Sequence, residues 1–403
     1  MGERVAAPGH EFSGDGACSP IAPRKGTPAS FTMSGHASNS QTGLPEFARP
    51  VKPGDLTPFI RRLLDGATLS AGETVAAFEA MMSGQSHHAE IGALLALLAT
   101  RVPTSAELLG AASIMRKHVD RVETSCDPAN IIDTAGTGGA PKTFNVSTAA
   151  AIVAAAALHG REPAAGDSSG VAKHGNRSRT GRGSAEVLRA LGVNIDADRA
   201  TQARCLEEVG VCFCFAIHHH PATRHVMPVR QTLGFPTIFN LLGPLTNPAG
   251  AKRQVMGVYD AKFLKPVAEA LRDLGAIRAM VVHSDDGLDE LSIAAPTQIV
   301  HVIDGEVREE TITPEDVGLR RASLGEVTAR DLEHAATIMR DVLSGKAKDA
   351  VRDMTLLNAA ATLVVSGAAK SLTDGVAIAA RTIDLGAAAQ TLAALATRSH
   401  QVP

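Results

Sequence analysis

Tryptophan is absent from the 403 residues, tyrosine occurs once, and eleven phenylalanines complete the aromatic set. A surface that stacks nucleobases therefore has little to be built from. A basic groove is missing too, because 39 Lys and Arg stand against 42 Asp and Glu, a formal net charge of −3. Neither nucleic acid nor an anionic membrane is expected as a partner. No apolar run reaches membrane-span length without a charge or a glycine breaking it, and the start carries no charged-then-apolar signal. Cysteine is sparse: five residues, at 18, 126, 205, 212 and 214, odd in number and without a C-x-x-C pair. That suits a reducing cytoplasm rather than a disulfide framework. Cys212 and Cys214 fall in an apolar run and read as the edge of a buried strand or helix. Also missing are a G-x-S-x-G elbow and an H-E-x-x-H helix, which argues against serine-hydrolase and zincin chemistry.

What is present centres on Asp133-Thr134-Ala135-Gly136-Thr137-Gly138-Gly139, running on to Lys142-Thr143-Phe144-Asn145-Val146-Ser147-Thr148. Ile131-Ile132 enters this stretch as a strand would, and Ala149 to Leu158 leaves it as a buried helix of small side chains. Glycines at 136, 138 and 139 let the backbone take positive φ and approach a ligand closely. The helix that follows is expected to offer unpaired N–H groups to an anion. Asn145, Ser147 and Thr148 add donors and metal-capable oxygens. The stretch can be a phosphate cradle or an ordinary strand-to-helix turn; its spacing fits neither a dinucleotide fingerprint nor a P-loop.

Around it, residues 1–50 are rich in Gly, Ser, Pro and Ala and read as a disordered extension. Short helices follow. Asp55 to Leu64 places Phe59, Ile60, Leu63 and Leu64 at helical spacing, and Ala89 to Ala99 is nearly all apolar. Ser70-x-x-Glu73 and Thr104-x-x-Glu107 are capping boxes, opening helices through Met82 and His118. His87, His88 and His118 read as surface or cap residues. Further on, a helix over Ser184–Leu191 ends at Gly192, Val193-Asn194-Ile195 reads as a short strand, and 199–227 as helical and then irregular. Strands are expected at Val255–Val258, Ala279–His283 and Ile299–Ile303, with a helix over Lys262–Leu274 and a helical tail from Ala329. Such alternation argues for a sheet covered by helices.

Three further clusters carry chemistry. Lys173-His174-Gly175-Asn176-Arg177, with Ser178, Thr180 and Ser184 after it, is dense enough in donors for a polyanionic ligand, or is a solvated basic loop. Asp285-Asp286-Gly287-Leu288-Asp289-Glu290 follows a strand and suits Mg²⁺, which takes one or two carboxylates plus substrate phosphates, or is a solvated acidic turn. One of His218-His219-His220 contacting a ligand, and Arg230 as a bidentate clamp, are weaker single-residue signals set against a surface role. Phe239 to Pro248 reads as a packed turn. Together these parts suggest transfer chemistry on a phosphorylated, Mg²⁺-bound substrate.

In their order, Gly136–Gly139, Asn145–Thr148, Lys173–Arg177, the Asn240–Pro248 segment and Asp289-Glu290 resemble the anthranilate phosphoribosyltransferases, over roughly residues 54–395. The resemblance implies an α/β fold: a small all-helical N-terminal domain over 51–125, joined by about 199–228, and a larger domain over 126–198 and 229–403 with a central mixed sheet flanked by helices. It implies a cytoplasmic homodimer through the helical lobes. 5-Phosphoribosyl 1-diphosphate would lie on Gly136, Thr137, Gly138, Gly139, Thr143, Asn145, Val146, Ser147 and Thr148, and on Lys173, His174, Gly175, Thr180 and Ser184. Ser147, Asp289 and Glu290 would hold Mg²⁺. Gly136, Asn176, His220 and Arg230 would meet anthranilate. The chain departs from the family pattern at Ala140, where Asp is usual, at an insertion near 161–170, at Ser178–Gly181, which lacks a usual serine pair, and at Thr223, where an aromatic is usual. The departures at Thr223 and 161–170 motivate a different aromatic acceptor as the alternative; the complete Lys173–Arg177 motif and the Asp289-Glu290 pair count against a pyrimidine nucleoside phosphorylase, and the charge and sparse aromatics against a non-enzymatic nucleic-acid-binding paralogue.

Overall fold

The computed structural model describes residues 53–139, 143–159, 169–178 and 181–401. The extension over 1–50, Ala140, Thr180 and most of the 161–170 insertion lie outside these.

Four helices open the described chain: α1 (Thr57–Leu64), α2 (Ala71–Met82), α3 (His88–Ala99) and α4 (Ser105–Lys117). Both capping boxes form. The Ser70 and Thr104 hydroxyls accept the Glu73 and Glu107 N–H groups, and each glutamate accepts its cap residue's N–H in return. His87 caps α3 through its ring, and His118 ends α4 with its Nε2 3.2 Å from Glu79. In α1 the core face falls on Leu63, while Leu64 is 55% exposed. Leu56 and Leu63 lie two turns apart on one face, and the next residue is turned about 100° away from it.

Strands β1 (Ile131–Gly136), β2 (Gly170–Gly175), β3 (Val211–Phe215), β4 (Arg253–Gly257), β5 (Arg278–Ser284), β6 (Thr297–Ile303) and β7 (Glu306–Ile312) form, among the described residues, one sheet in the order β3-β2-β1-β4-β5-β6-β7. The first five in that order pair in parallel; β6 and β7 are antiparallel. The remaining α-helices are α5 (Val146–His159), α6 (Ser184–Ala190), α7 (Arg199–Val209), α8 (Ala216–His219), α9 (Met227–Leu233), α10 (Phe239–Leu242), α11 (Leu264–Asp273), α12 (Leu332–Leu343), α13 (Ala350–Ser366), α14 (Leu372–Asp384) and α15 (Ala387–Arg398).

Alternation along the strands splits the core in two. Val255, Met280, Val282 and Ile299 face the side covered by α5 and α13, whereas Met256, Ala279, Val281 and Val300 face α11 and join the core of the helical lobe. The helical lobe is thus packed onto one face of the sheet.

Several expectations change. Val193–Ile195 is not a strand, because Asn194 bonds Ser399 through both its backbone N–H and its amide, and its Oδ1 accepts the Asp196 N–H. Those side-chain bonds replace a ladder. The segment 199–228 does not go as a unit with the helical lobe: β3 is a sheet edge and α7 packs on it and on α15. Only its end, the 3₁₀ turn Pro221–His225, touches α2, and α9 after it touches α3. The helix expected from Lys262 begins as a 3₁₀ turn before α11. β7 escapes sequence reading because Glu306, Arg308, Glu309 and Glu310 make it an exposed, charged edge.

Candidate active site

The parallel strands all end at one rim, and the polar clusters meet there, as open α/β sheets place their ligands. β1 delivers the glycine turn, β2 carries Lys173 and His174 within the strand itself rather than in the loop expected from the sequence, β4 leads into a turn at Gly257–Tyr259, and the loop after β5 folds back over β1 and β4.

That fold-back brings Asp289 and Glu290 to the glycines. A Cβ on Gly136 would run into the Asp289 carboxylate, and one on Gly257 into the Asp289 backbone. Both positions must be glycine for the loop to sit so low. The Gly138 N–H donates to Asp289 Oδ2 at 3.1 Å, with Gly138 and Gly139 at φ +67° and +95°. The Thr137 N–H donates to the Gly257 carbonyl (3.0 Å), and its hydroxyl accepts the Tyr259 N–H (3.0 Å).

The first turn of α5 differs from expectation. Its N–H groups are already engaged: Val146 to the Phe144 carbonyl (2.9 Å), Thr148 to the Asn145 carbonyl (3.1 Å) and Ser147 to Glu290 Oε1 (3.2 Å). The Thr143 hydroxyl lies 3.4 Å from Glu290 Oε2. The carboxylates therefore hold N–H groups that sequence reading assigned to an anionic ligand. Val146 is core, the buried Thr148 hydroxyl has no partner among the described residues, and the Asn145 amide donates to the Arg182 carbonyl.

Lys173 is buried and donates from Nζ to the Thr134 carbonyl (2.6 Å) and to Ser147 Oγ (3.2 Å). Burial lowers its pKa, against the opposing pull of Asp133, Glu290 and Asp289. Glu290 is pushed up to about 8, by burial first and the neighbouring Asp289 charge second. Two adjacent carboxylates and a hydroxyl are an oxygen set that fits Mg²⁺, and a divalent cation would relieve the repulsion that raises Glu290. Among the described residues no group of three or more His, Cys, Asp or Glu converges. A hard cation completed by substrate oxygens fits this set better than a closed protein cage.

His174 and His220 meet with Nε2 atoms 3.3 Å apart. The His174 backbone N–H donates to the buried Asp133 (3.0 Å), and its ring bonds the Gly243 carbonyl. Gly175 sits against Ser184, whose hydroxyl lies 3.4 Å from the Asn176 carbonyl. Asn176 is exposed, with Oδ1 accepting the Arg177 N–H. Arg230 is held on α9, its guanidinium 5.0 Å above the Phe239 ring. The glycine turn, Ser147, Lys173 and the carboxylates are thus drawn together and His220 lies beside them through His174, while Asn176 stays with Ser184 at the start of α6 and Arg230 lies on α9, which packs on the helical lobe.

Sequence reading missed Gly257 and Tyr259, and it placed Asp133 at the head of the glycine stretch without giving it a role. Gly257 had a signal in its place at the end of an expected strand, where a glycine marks close backbone approach.

Comparison with known proteins places these parts in order. Residues 128–389 match the model of the glycosyl transferase family a/b domain, and 57–119 that of its helical bundle domain. An anthranilate phosphoribosyltransferase of Parvibaculum lavamentivorans is 47% identical over 348 residues, 86% of this chain and 98% of that one. One of Rubrobacter xylanophilus is 46% identical over 331 residues, 82% of this chain and 93% of that one. Among solved structures, anthranilate phosphoribosyltransferase of Thermus thermophilus superposes with a TM-score of 0.78 at 38% identity, covering 85% of this chain and 99% of that one. The Saccharomyces cerevisiae enzyme in complex with PRPP and Mg superposes at 0.76 with 26% identity, covering 86% and 98%.

Proposed function

The chain belongs to the anthranilate phosphoribosyltransferase family, and from that premise we infer that it transfers the 5-phosphoribosyl group of 5-phosphoribosyl 1-diphosphate to the amine of anthranilate, a step of tryptophan biosynthesis. The observation that carries the reading is the convergence of the glycine turn, Lys173 and the Asp289-Glu290 pair at one rim.

In this reading the donor's phosphates lie on Gly136–Gly139, Thr143, Asn145, Val146, Ser147 and Thr148, and on Lys173–Gly175, Thr180 and Ser184. They compete with Asp289 and Glu290 for the Gly138 and Ser147 N–H groups. Ser147, Asp289 and Glu290 would hold Mg²⁺, which supplies neutralising charge to the leaving diphosphate. Lys173 orients Ser147 through its 3.2 Å bond and brings a fixed positive charge beside it. The C1–O bond to diphosphate breaks as the anthranilate nitrogen forms a bond to C1, and the amine gives up one proton. Anthranilate would sit between Gly136, Asn176 and His220, with Arg230 on its carboxylate. Burial pushes the His220 pKa down to about 4, so near neutral pH its uncharged ring offers the amine a hydrogen-bonding group. Positioning two substrates in one cleft supplies much of the rate.

We assign the protein to the cytoplasm, a reading supported by four free, buried cysteines among the described residues, and to a homodimer through its helical lobes. Thr223 turns its hydroxyl onto the His220 carbonyl (2.7 Å), so a small polar group stands where the family carries an aromatic.

The test is the decay of anthranilate fluorescence on mixing the protein with 5-phosphoribosyl 1-diphosphate and Mg²⁺. Mg²⁺-dependent loss at ordinary enzyme rates is expected. Donor binding by calorimetry without that loss would move the acceptor to another aromatic amine.

A further inference from the structure

Asn358 stands in the middle of α13, a helix whose buried length is otherwise Ala, Leu, Val, Thr and Met apart from Arg352 near its start. An asparagine there costs helix propensity and desolvation unless its amide is fully used. It is. Asn358 is 5% exposed, and its Oδ1 accepts the Leu291 N–H at 3.1 Å while its Nδ2 donates to the Leu291 carbonyl at 2.8 Å and to the Met354 carbonyl at 2.9 Å. One side chain thus grips both backbone groups of the residue that directly follows Glu290, across 67 positions of sequence. Leu291 and Leu288 are themselves buried in the core, which leaves Asp289 and Glu290 as the part of the loop turned to the rim. Asn358 also lines, together with both carboxylates, a cavity of about 20 Å³, large enough for a single water and too small for either substrate.

We propose that Asn358 is a positioning residue for the diphosphate side of the reaction: by clamping Leu291 it fixes where Asp289 and Glu290 present their oxygens to the metal-bound donor. This rests on the reading of those carboxylates as the Mg²⁺–diphosphate site. The physical reason is that a loop with its low seat under Gly136 and Gly257 has no ladder of its own at Leu291; without the amide, the two backbone groups are buried and unpaired and the loop must shift to find partners. A group that orients ligands from behind typically changes metal affinity by about 10- to 100-fold when removed.

The experiment is calorimetric titration of 5-phosphoribosyl 1-diphosphate, with and without Mg²⁺, into the wild type, Asn358→Ala and Glu290→Ala, with anthranilate binding measured in parallel. For Asn358→Ala the expected result is a Mg²⁺-dependent donor affinity weaker by about 10-fold or more, recovering as Mg²⁺ is raised, with anthranilate affinity unchanged. Equal losses for donor and anthranilate would mean general damage to the fold and overturn the proposal. So would wild-type donor affinity in Asn358→Ala alongside its loss in Glu290→Ala, an outcome that leaves the carboxylate site itself intact. Retained Mg²⁺-dependent affinity in Glu290→Ala would instead remove the site reading, and the proposal with it. Should Asn358→Ala fail to fold, Asn358→Ser takes its place, and amide exchange in the wild type decides: protection of the Leu291 N–H comparable to β5 is expected, and rapid exchange would show that no clamp exists.

Discussion

His220 and His174 show how a single contact sets behaviour at the rim. Burial lowers both, His220 to about 4 and His174 well below the ordinary value, and the neighbouring imidazoles lower them further. In the window between about pH 6.5 and 4 the unfolded chain binds a proton at His220 that the folded chain refuses. Stability therefore falls as pH falls through that window, by up to about 3 kcal/mol for this group. Asp133, raised to about 6, and Glu290, raised to about 8, act in the opposite sense, so the bulk curve is a sum. The difference between wild type and His220→Asn isolates the histidine. The variant is expected to lose less stability than the wild type between pH 6.5 and 4 in denaturant melts, and parallel curves would refute a buried neutral His220. Not all of this was legible beforehand. Three adjacent histidines announce nothing about which turn inward, and here both His219 and His220 do, of which only His220 meets His174. Likewise four carboxylates between Asp285 and Glu290 look alike in sequence, yet Asp285 accepts from Gln298 and Asp286 from Ser292 and Leu288, and only the last two reach the rim.

At the scale of elements, the helix starts that the chain announces by capping form, whereas the short strand expected at Val193–Ile195 does not. Capping boxes are local codes, so the starts of α2 and α4 were readable to the residue. Strand β3 was not, because its apolar run is too short to separate from a buried helix, and β7 was hidden by its charge. The box on α4 carries a further load: Glu107 is fully buried and also accepts the Leu69 N–H (2.9 Å) and the Arg101 guanidinium (2.8 Å). Arg101 and the hydrogen bonds outweigh burial and hold its carboxyl below the usual range. Removing it strands a cation and two backbone donors, so Glu107→Ala should cost about 3–5 kcal/mol, against about 1 kcal/mol for Thr104→Ala, which loses only the cap. Calorimetric melting of the two variants checks this, and similar losses would mean that Glu107 acts as a cap alone.

For the molecule as a whole, the helical lobe shares its core with the α11 face of the sheet, so its helices have one side committed. On the other, Leu64 of α1 is 55% exposed and Val102, between α3 and α4, 36%. A buried leucine side chain gains roughly 1.5–3 kcal/mol over an exposed one, and a two-fold contact buries the same residue twice. The homodimer proposed above would give these side chains a partner without disturbing the rim, which is built from strand ends of one chain. Sedimentation equilibrium should therefore return twice the 41.7 kDa of the chain, and Leu64→Asp should shift it toward the single mass while leaving donor binding intact. A wild-type mass of one chain under the conditions where turnover is measured would sink the dimer. Loss of donor binding in Leu64→Asp would instead tie the rim to the interface.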